Sequence, residues 1–384
     1  MSEIDVLIPA YNAESYILDS IRSIREQTVT DTRIVIVDDG STDRTRDIIL
    51  DQQKEDARII YHYQENAGIV SALNAGLALC TAPYIARHDA DDFSYPERFT
   101  RQLEWMTAHP DCVAVSAQAR HIDAEGRPTG SVSTVRMIER ADSSAIPAYE
   151  PYLLHPLLMV RRDALLAVKG YRKVYNSEDS DLYWRLREIG KLHIIREILG
   201  DYRLHPTSLS SASVVNGRQM AVWSQLAALS DQRRAKNEPD IDFSGEASAR
   251  IRAAREFTEI FFEASRGLSL PEKEWLQSAA CAKFLELCYY RPFEPTGNDI
   301  KFIQTSAFFE KKLYRDSDYD VFREALISAG IRMAISRRIR DALRIVPSPG
   351  RANLLARILF RIAAPQAIRT PLKKIRGRGR RSAA

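Results

Sequence analysis

The sequence predicts an α/β fold, a mainly parallel sheet with flanking helices, followed by an α-helical C-terminal region and a basic tail. Three observations carry this. The first 120 residues alternate short apolar runs with helix-period segments. The earliest run, Ile4–Ala10, is almost wholly apolar, as in a strand buried on both faces. Polar clusters recur at the carboxyl ends of these runs, where open α/β sheets collect ligands.

Taken in order, residues 14–27 place Ile17, Ile21 and Ile24 at helical spacing. Residues 33–37 form a second strand, and 42–53 a helix with Ile48 and Ile49 turned inward. A third strand over 58–63 precedes a helix over 68–80 that carries Val70, Leu73 and Leu77. Residues 84–88 are the fourth strand, 96–108 a helix opened by Pro96 in its first turn, and 112–117 the fifth strand. Residues 124–127 suit a hairpin tip, and His155 opens another apolar strand. From Val214 strand patterns stop, and 214–234, 248–266, 271–290 and 319–334 read as helices. Aromatic pairs there, such as Phe261-Phe262 and Phe308-Phe309, read as core. The expected division is 1–213, 214–345 and 346–384.

At 384 residues the chain exceeds the usual single domain. A 45% hydrophobic and 28% charged composition is that of a soluble globular protein. Its four cysteines show no Cys-x-x-Cys or finger spacing and read as buried thiols in a reducing compartment. The N-terminus lacks the pattern of a signal peptide, and no apolar run approaches a membrane span. These features predict a cytoplasmic protein. The net charge of +4 is unevenly spread. From Arg332 onward there are 15 Lys and Arg against Asp341 alone, which leaves 40 basic and 50 acidic residues before it. An acidic body is not the pattern of a nucleic-acid enzyme with a basic cleft, so no nucleic-acid partner is expected.

The stretch 84–92 organises the chain. A short apolar run ends in Asp89, Asp91 and Asp92. Three acids within four residues at the end of a buried strand repel one another unless a cation compensates them. Oxygen-only ligands at this density suit Mg²⁺ or Mn²⁺. Capping the helix near Pro96 needs one acid, not three. Pro9-Ala10-Tyr11-Asn12, then Asp38-Asp39-Gly40-Ser41-Thr42-Asp43, then Asn66-Ala67-Gly68 end the other strands. Each alone is an ordinary turn or cap. Four on one edge of one sheet define a binding site.

In order and spacing, Pro-x-Tyr-Asn, Asp-Asp-Gly-Ser-x-Asp, Asn-x-Gly-(x)5-Asn-x-Gly (Asn66, Gly68, Asn74, Gly76) and Asp-Ala-Asp-Asp resemble the family 2 glycosyltransferases. The resemblance covers roughly residues 1–212 and continues through Asn176–Leu182 numbered 176–182 and through Tyr202-Arg203-Leu204-His205-Pro206. It implies the GT-A fold, the Rossmann-like arrangement of nucleotide-diphospho-sugar transferases, and a metal-dependent, inverting sugar transfer. The Gln-x-x-Arg-Trp signature of processive members is absent, which suggests one sugar per encounter.

The resemblance implies Asp91 as principal metal carboxylate, Asp89 on the ribose or metal, and Asp92 assisting. Which of the three touches the ion is left open by spacing. Glu178 and Asp179 occupy the family's base position, and the resemblance favours Asp179; the alternative is that both only stabilise a helix N-terminus, for which Asp181 suffices. Tyr11 would stack on or flank the nucleobase, Asp39 accept from a base N–H, and Asp43 cap the next helix. Pro9, Asn12, Asp38, Asn66 and Gly68 belong to the same donor edge. Arg203 and His205 would reach the diphosphate or metal, on a loop that could close as a lid. The implied partners are a nucleotide-diphosphate sugar, UDP-type, and a glycan or lipid-linked acceptor.

The tail places Leu354, Leu355, Ile358, Leu359 and Ile362 on one helical face with arginines beside it, then a polybasic run over 373–381. This suits an anionic membrane surface, with RNA contact or a solubilising tail as alternatives. The helical region could extend the acceptor pocket or form a homodimer. Two competing functions are a nucleotidyltransferase, disfavoured because 9–14 lacks glycine and any basic residue, and a non-catalytic nucleotide-binding scaffold.

Overall fold

The computed structural model describes residues 2–135, 137–204, 213–291 and 293–363. The first part runs β1 (Ile4–Ala10), α1 (Ile17–Arg25), β2 (Thr32–Asp39), α2 (Thr45–Glu55), β3 (Ile59–Gln64), α3 (Ile69–Leu79), β4 (Tyr84–Arg87) and β5 (Phe93–Ser94). It continues α4 (Arg98–Ala108), β6 (Cys112–Ile122), β7 (Pro128–Val132), β8 (Met159–Arg161), α5 (Arg162–Ala167), α6 (Glu178–Ile189) and β9 (Lys191–Arg203). The helices that follow are α7 (Val214–Ala235), α8 (Gly245–Ala253), α9 (Phe257–Ala264), α10 (Leu270–Tyr290), α11 (Gly297–Gln304), α12 (Asp320–Ile335), α13 (Ile339–Ile345) and α14 (Arg351–Ala363).

One mixed sheet has the order β3-β2-β1-β4-β8-β6-β9-β5, with β7 paired to β6. The long pairings are parallel: β1 with β2, β2 with β3, β1 with β4, and β6 with β9. Antiparallel pairings are short, as where β8 joins β4 to β6. This is the GT-A arrangement that the motifs imply.

Period-two alternation explains why the first strands are apolar throughout. Ile4, Val6, Ile8, Ile34 and Ile36 enter one core, with Ile17, Ile21 and Ile24 of α1. Leu7, Val35 and Val37 enter the other, against Leu73 and Leu77 of α3. Each fully buried Ile of α1 contributes about 1.5–3 kcal/mol. Gly76 is required by contact: a Cβ there would lie 2.1 Å from Leu7 Cδ1.

Two local expectations change, and one element had no prediction. Residues 191–203 form the long strand β9, whose register shifts against β6 break the strand alternation. Residues 248–266 are two helices rather than one, because Glu256 and Glu259 cap each other's backbone and restart the chain as α9. His155 lies in a short 3₁₀ turn, and the strand begins at Met159. All four cysteines are free and buried.

Two compact units emerge. One holds residues 1–144, 148–211 and 226–252; the other holds 145–147, 212–225 and 253–384. Against the expected division at 213, residues 226–252 group with the sheet. Among the described residues no helix is long and apolar enough to cross a membrane.

Candidate active site

β4 delivers the acidic cluster. Its last residue is Arg87, and the backbone then turns through His88 to Asp89, Asp91 and Asp92, whose carboxylate oxygens lie within 4.8 Å of one another. The loop is pinned from far along the chain. The Arg203 backbone N–H donates to Asp92 Oδ1 at 2.8 Å, and Arg203 Nε donates to the Asp91 carbonyl at 2.8 Å. Arg203 also donates to the carbonyl of Ala124 and lies over the Tyr16 ring. It therefore holds the acidic loop and the β6–β7 hairpin together.

Asp92 Oδ2 is buried and has no partner. Burial, then the charges of Asp89 and Asp91, push the Asp92 carboxyl well above the usual range. Burial also raises Asp89, against which the ion-paired Arg87 acts. An orphaned buried oxygen among crowded carboxylates is the donor set a hard divalent cation satisfies. The residues fit the ion.

A buried cationic layer underlies this cluster. Arg98 donates to the Arg87 carbonyl at 2.6 Å, to Ser94 Oγ at 2.8 Å and to Gln102 Oε1 at 3.2 Å. Burial and the Arg98 charge hold the His88 imidazole well below its usual range, so it is neutral. Arg87 is buried, yet its Nε and Nη1 have no hydrogen-bond partner. Its charge bears on Asp89 and on both Glu178 and Asp179.

Glu178 and Asp179 open α6 and are both half-buried. Burial, then Asp179, push Glu178 up to about 8, and Glu178 Oε2 has no partner. Burial raises Asp179 to about 6, with the Glu150 charge adding to the rise. Asp179 Oδ1 accepts from the Ser180 N–H at 2.7 Å, and Ser180 Oγ donates to Glu150 at 2.6 Å. The expected capping role of Asp181 does not hold. Its carboxylate is fully buried between Arg172 and Arg185, an ion-paired support for the helix.

On the donor edge, Tyr11 is 53% exposed, so it does not pack in the core. Asn12, with φ of 49°, accepts from the Thr42 N–H at 2.8 Å, while its own N–H donates to Ser41 Oγ. This ties the β1 loop to the β2 loop. Asp38 accepts from the Ser41 N–H and from Tyr61 Oη. Asp39 accepts from Gln64 Nε2 at 2.6 Å and from the N–H groups of Ala67 and Gly68 at 2.9 Å, which shapes the third loop around Asn66. Gly68, at φ 87°, needs its positive φ, not the space. Asp43 accepts from the Thr45 and Glu14 N–H groups just ahead of α2, whose N-cap is Arg44 and carries no side-chain cap. Pro9 lies buried in β1. Asn74 clamps Tyr171 through both its N–H and its carbonyl, and Tyr171 Oη meets His155 Nε2 at 2.9 Å. His205 lies outside the described residues.

Arg87 was not among the residues singled out from the sequence. Its signal was a lone arginine closing an apolar run, Tyr84-Ile85-Ala86. Glu150 and the backbone N–H of Arg203 had no local signal.

The sheet order and this acidic edge place the chain in a class, and similarity to known proteins agrees. The chain belongs to glycosyltransferase family 2. Residues 5–167 match the family model described as glycosyl transferase family 2. A glycosyltransferase of Nostoc sp. (strain PCC 7120) is 31% identical over 226 residues, covering 56% of this chain and 70% of the relative. The chondroitin synthase of Escherichia coli is 31% identical over 210 residues, covering 54% of this chain and 30% of that protein. The chain thus spans under a third of that synthase's length. The amylovoran biosynthesis glycosyltransferase AmsE of Erwinia amylovora is 28% identical over 189 residues, covering 48% and 70%. Among solved structures, S. aureus TarS 1–349 in complex with UDP-GlcNAc aligns with a TM-score of 0.48 at 16% identity, over 87% of this chain and 92% of that one.

Proposed function

We propose that this chain moves a single sugar from a nucleotide-diphosphate donor, of the UDP type, to a glycan or lipid-linked acceptor during surface-polysaccharide assembly, with inversion at the anomeric carbon. One observation carries the reading: two separate, largely half-buried carboxylate groups lie within each other's field, one crowded enough to need a cation, the other raised toward neutrality. The names of the E. coli and Erwinia relatives support a polysaccharide product.

Asp91, Asp89 and Asp92 would hold Mn²⁺ or Mg²⁺, which when bound neutralises charge on the leaving diphosphate. Arg203 keeps their loop in place through its own backbone. Tyr11 stacks on the base, and Asn12, Asp38 and Asp39 shape the pocket around it. Asp179 takes the acceptor hydroxyl's proton as that oxygen bonds to the anomeric carbon and the bond to the diphosphate breaks. A base whose pKa is about 6 is mostly ionised at neutral pH yet still basic enough to assist. Glu178 beside it, raised to about 8, is mostly protonated at that pH and can hydrogen-bond the acceptor. Attack from the base's side, opposite the leaving group, gives inversion. Residues 1–213 would carry this chemistry, 214–345 select the acceptor or form a homodimer, and 346–384 hold the protein at the cytoplasmic face of a membrane.

The test is a thermal-shift panel of UDP, GDP, dTDP, CDP and ADP, each with and without Mn²⁺. A nucleotide that binds the folded state raises its melting temperature by mass action. One nucleotide should stabilise strongly and only with metal, and Asp91→Asn should abolish that shift. If no nucleotide shifts the protein, the acidic edge is not a donor site.

A further inference from the structure

The last helices expose apolar side chains where a water-facing surface carries charge. Helix α14 packs through Leu354, which is fully buried, with Ile358 half-buried beside it. Arg357 donates to both carboxylate oxygens of Glu324 on α12, at 2.7 and 2.9 Å. At about 100° per residue these three mark one side of the helix. The remaining arc, roughly 140° wide, holds Leu355, Leu359, Ala352, Ala356 and Phe360, with no charge among them. Leu355, Leu359 and Phe360 are 51%, 66% and 52% exposed. Only part of the five-residue stripe read from the sequence faces outward, because Leu354 and Ile358 turn to the protein.

Helix α13 repeats the pattern. Ala342 and Ile345 are buried, whereas Ile339 and Leu343 are exposed beside the exposed Arg340 and Arg344. Exposed Arg351 flanks the apolar arc of α14, whereas Arg361 falls on the side of Leu354 and Arg357. Residues 332–363 carry eight arginines against Asp341 alone. Arg340, Arg344 and Arg361 have no carboxylate partner among the described residues.

We infer that this face docks in the plane of an anionic phospholipid surface. Leu355, Leu359 and Phe360 enter the acyl boundary, while Arg340, Arg344 and Arg351 meet headgroup phosphates. Charge decides between lipid and a second copy of the chain. Two copies would bring like-charged arginines together, whereas anionic lipid neutralises them. Three half-exposed side chains also fall far short of the roughly 800 Å² per partner of a stable protein interface. This inference rests on the membrane location proposed above for 346–384, names the face and the lipid class that carry it, and does not depend on the transfer chemistry.

The experiment is co-sedimentation of the full chain with phosphatidylserine/phosphatidylcholine vesicles and with phosphatidylcholine alone, at low and high salt. Wild type should bind the anionic vesicles, lose binding in high salt, and ignore the neutral ones. The triple variant Leu355→Ser, Leu359→Ser, Phe360→Ser should bind at least tenfold more weakly, with the 373–381 basic run intact. Arg351→Gln with Arg344→Gln should weaken binding and flatten its salt dependence. Since all five positions are exposed, melting temperatures and metal-dependent nucleotide shifts should match wild type, which separates failure here from failure of the donor site. Unchanged binding by the triple variant overturns the proposal in favour of the basic run. A wild-type dimer that the triple variant dissociates, with vesicle binding unchanged, overturns it in favour of a second copy.

Discussion

The sheet edge at β4 and the helices α13 and α14 break opposite rules. The edge buries charge: Asp92 keeps an oxygen without a partner, and Arg87 keeps two nitrogens without one. The helices expose apolar surface, Leu359 most of all on α14. A buried unpaired charge is stable only with a counter-charge, and exposed leucines are stable only against an apolar medium. Each departure thus supports the partner proposed for it, an ion with a nucleotide in one case and a lipid surface in the other. Elsewhere the same sheet obeys the ordinary rules, as where Asp5, fully buried, is matched by Arg33 and by the N–H groups of Thr81 and Ala82. Asp5 is complete and reads as structural; Asp92 is incomplete and reads as functional.

The sharpest way to break this contrast is at the metal carboxylates. Asp91→Asn should lower turnover by about a thousandfold and abolish metal-dependent nucleotide binding, measured by radiolabelled sugar transfer and calorimetry. Retained binding with metal would make the cluster an ordinary acidic turn.

Next is the base. Asp179→Asn should lower turnover by about a hundredfold or more while donor binding stays near normal. In the wild type kcat/KM should fall as pH drops through about 6, where Asp179 becomes protonated. The stability effect has the opposite sign. Asp179 is raised in the folded state above its usual 3.8, so the fold binds its proton more tightly than the unfolded chain does, and stability falls as pH rises through that window. Removing the charge should therefore raise the folding stability at pH 8, by at most about 3 kcal/mol, and with it the melting temperature. A variant that is inactive and also less stable at pH 8 would argue against a half-buried, strained base.

Arg87→Met leaves Asp89 buried without its ion pair and should destabilise the fold by about 3–5 kcal/mol in urea titration. Arg87→Lys should recover part of that stability. Full stability in Arg87→Met would show that the cation does not hold the acidic loop.

The smallest effect is expected at Tyr11. Because it is half exposed, Tyr11→Ala should leave the melting temperature unchanged and weaken nucleotide binding by about 0.5–1.5 kcal/mol.

The sequence by itself determined the elements and the place of the site. Strand and helix periods are local properties, and they located β1, β2, β3, β4 and β6 and the helices between them. Because a polar cluster follows its own strand in the chain, the donor edge was legible as soon as the strands were. β9 was not read at all, because its register shifts break the strand period, and the capping pair at Glu256 and Glu259 split a helix that the period alone made continuous. Only the tertiary structure decided what completes each group. Asp92 meets the N–H of Arg203 across 111 residues, and Asp181 goes to Arg172 and Arg185 instead of capping its helix. It also decided which apolar residues of α14 face outward, because the Glu324–Arg357 pair and the burial of Leu354 set the helix's rotation on α12. Local pattern reports which side chains are apolar or charged. Which of them are left without a partner depends on contacts between segments far apart in the chain.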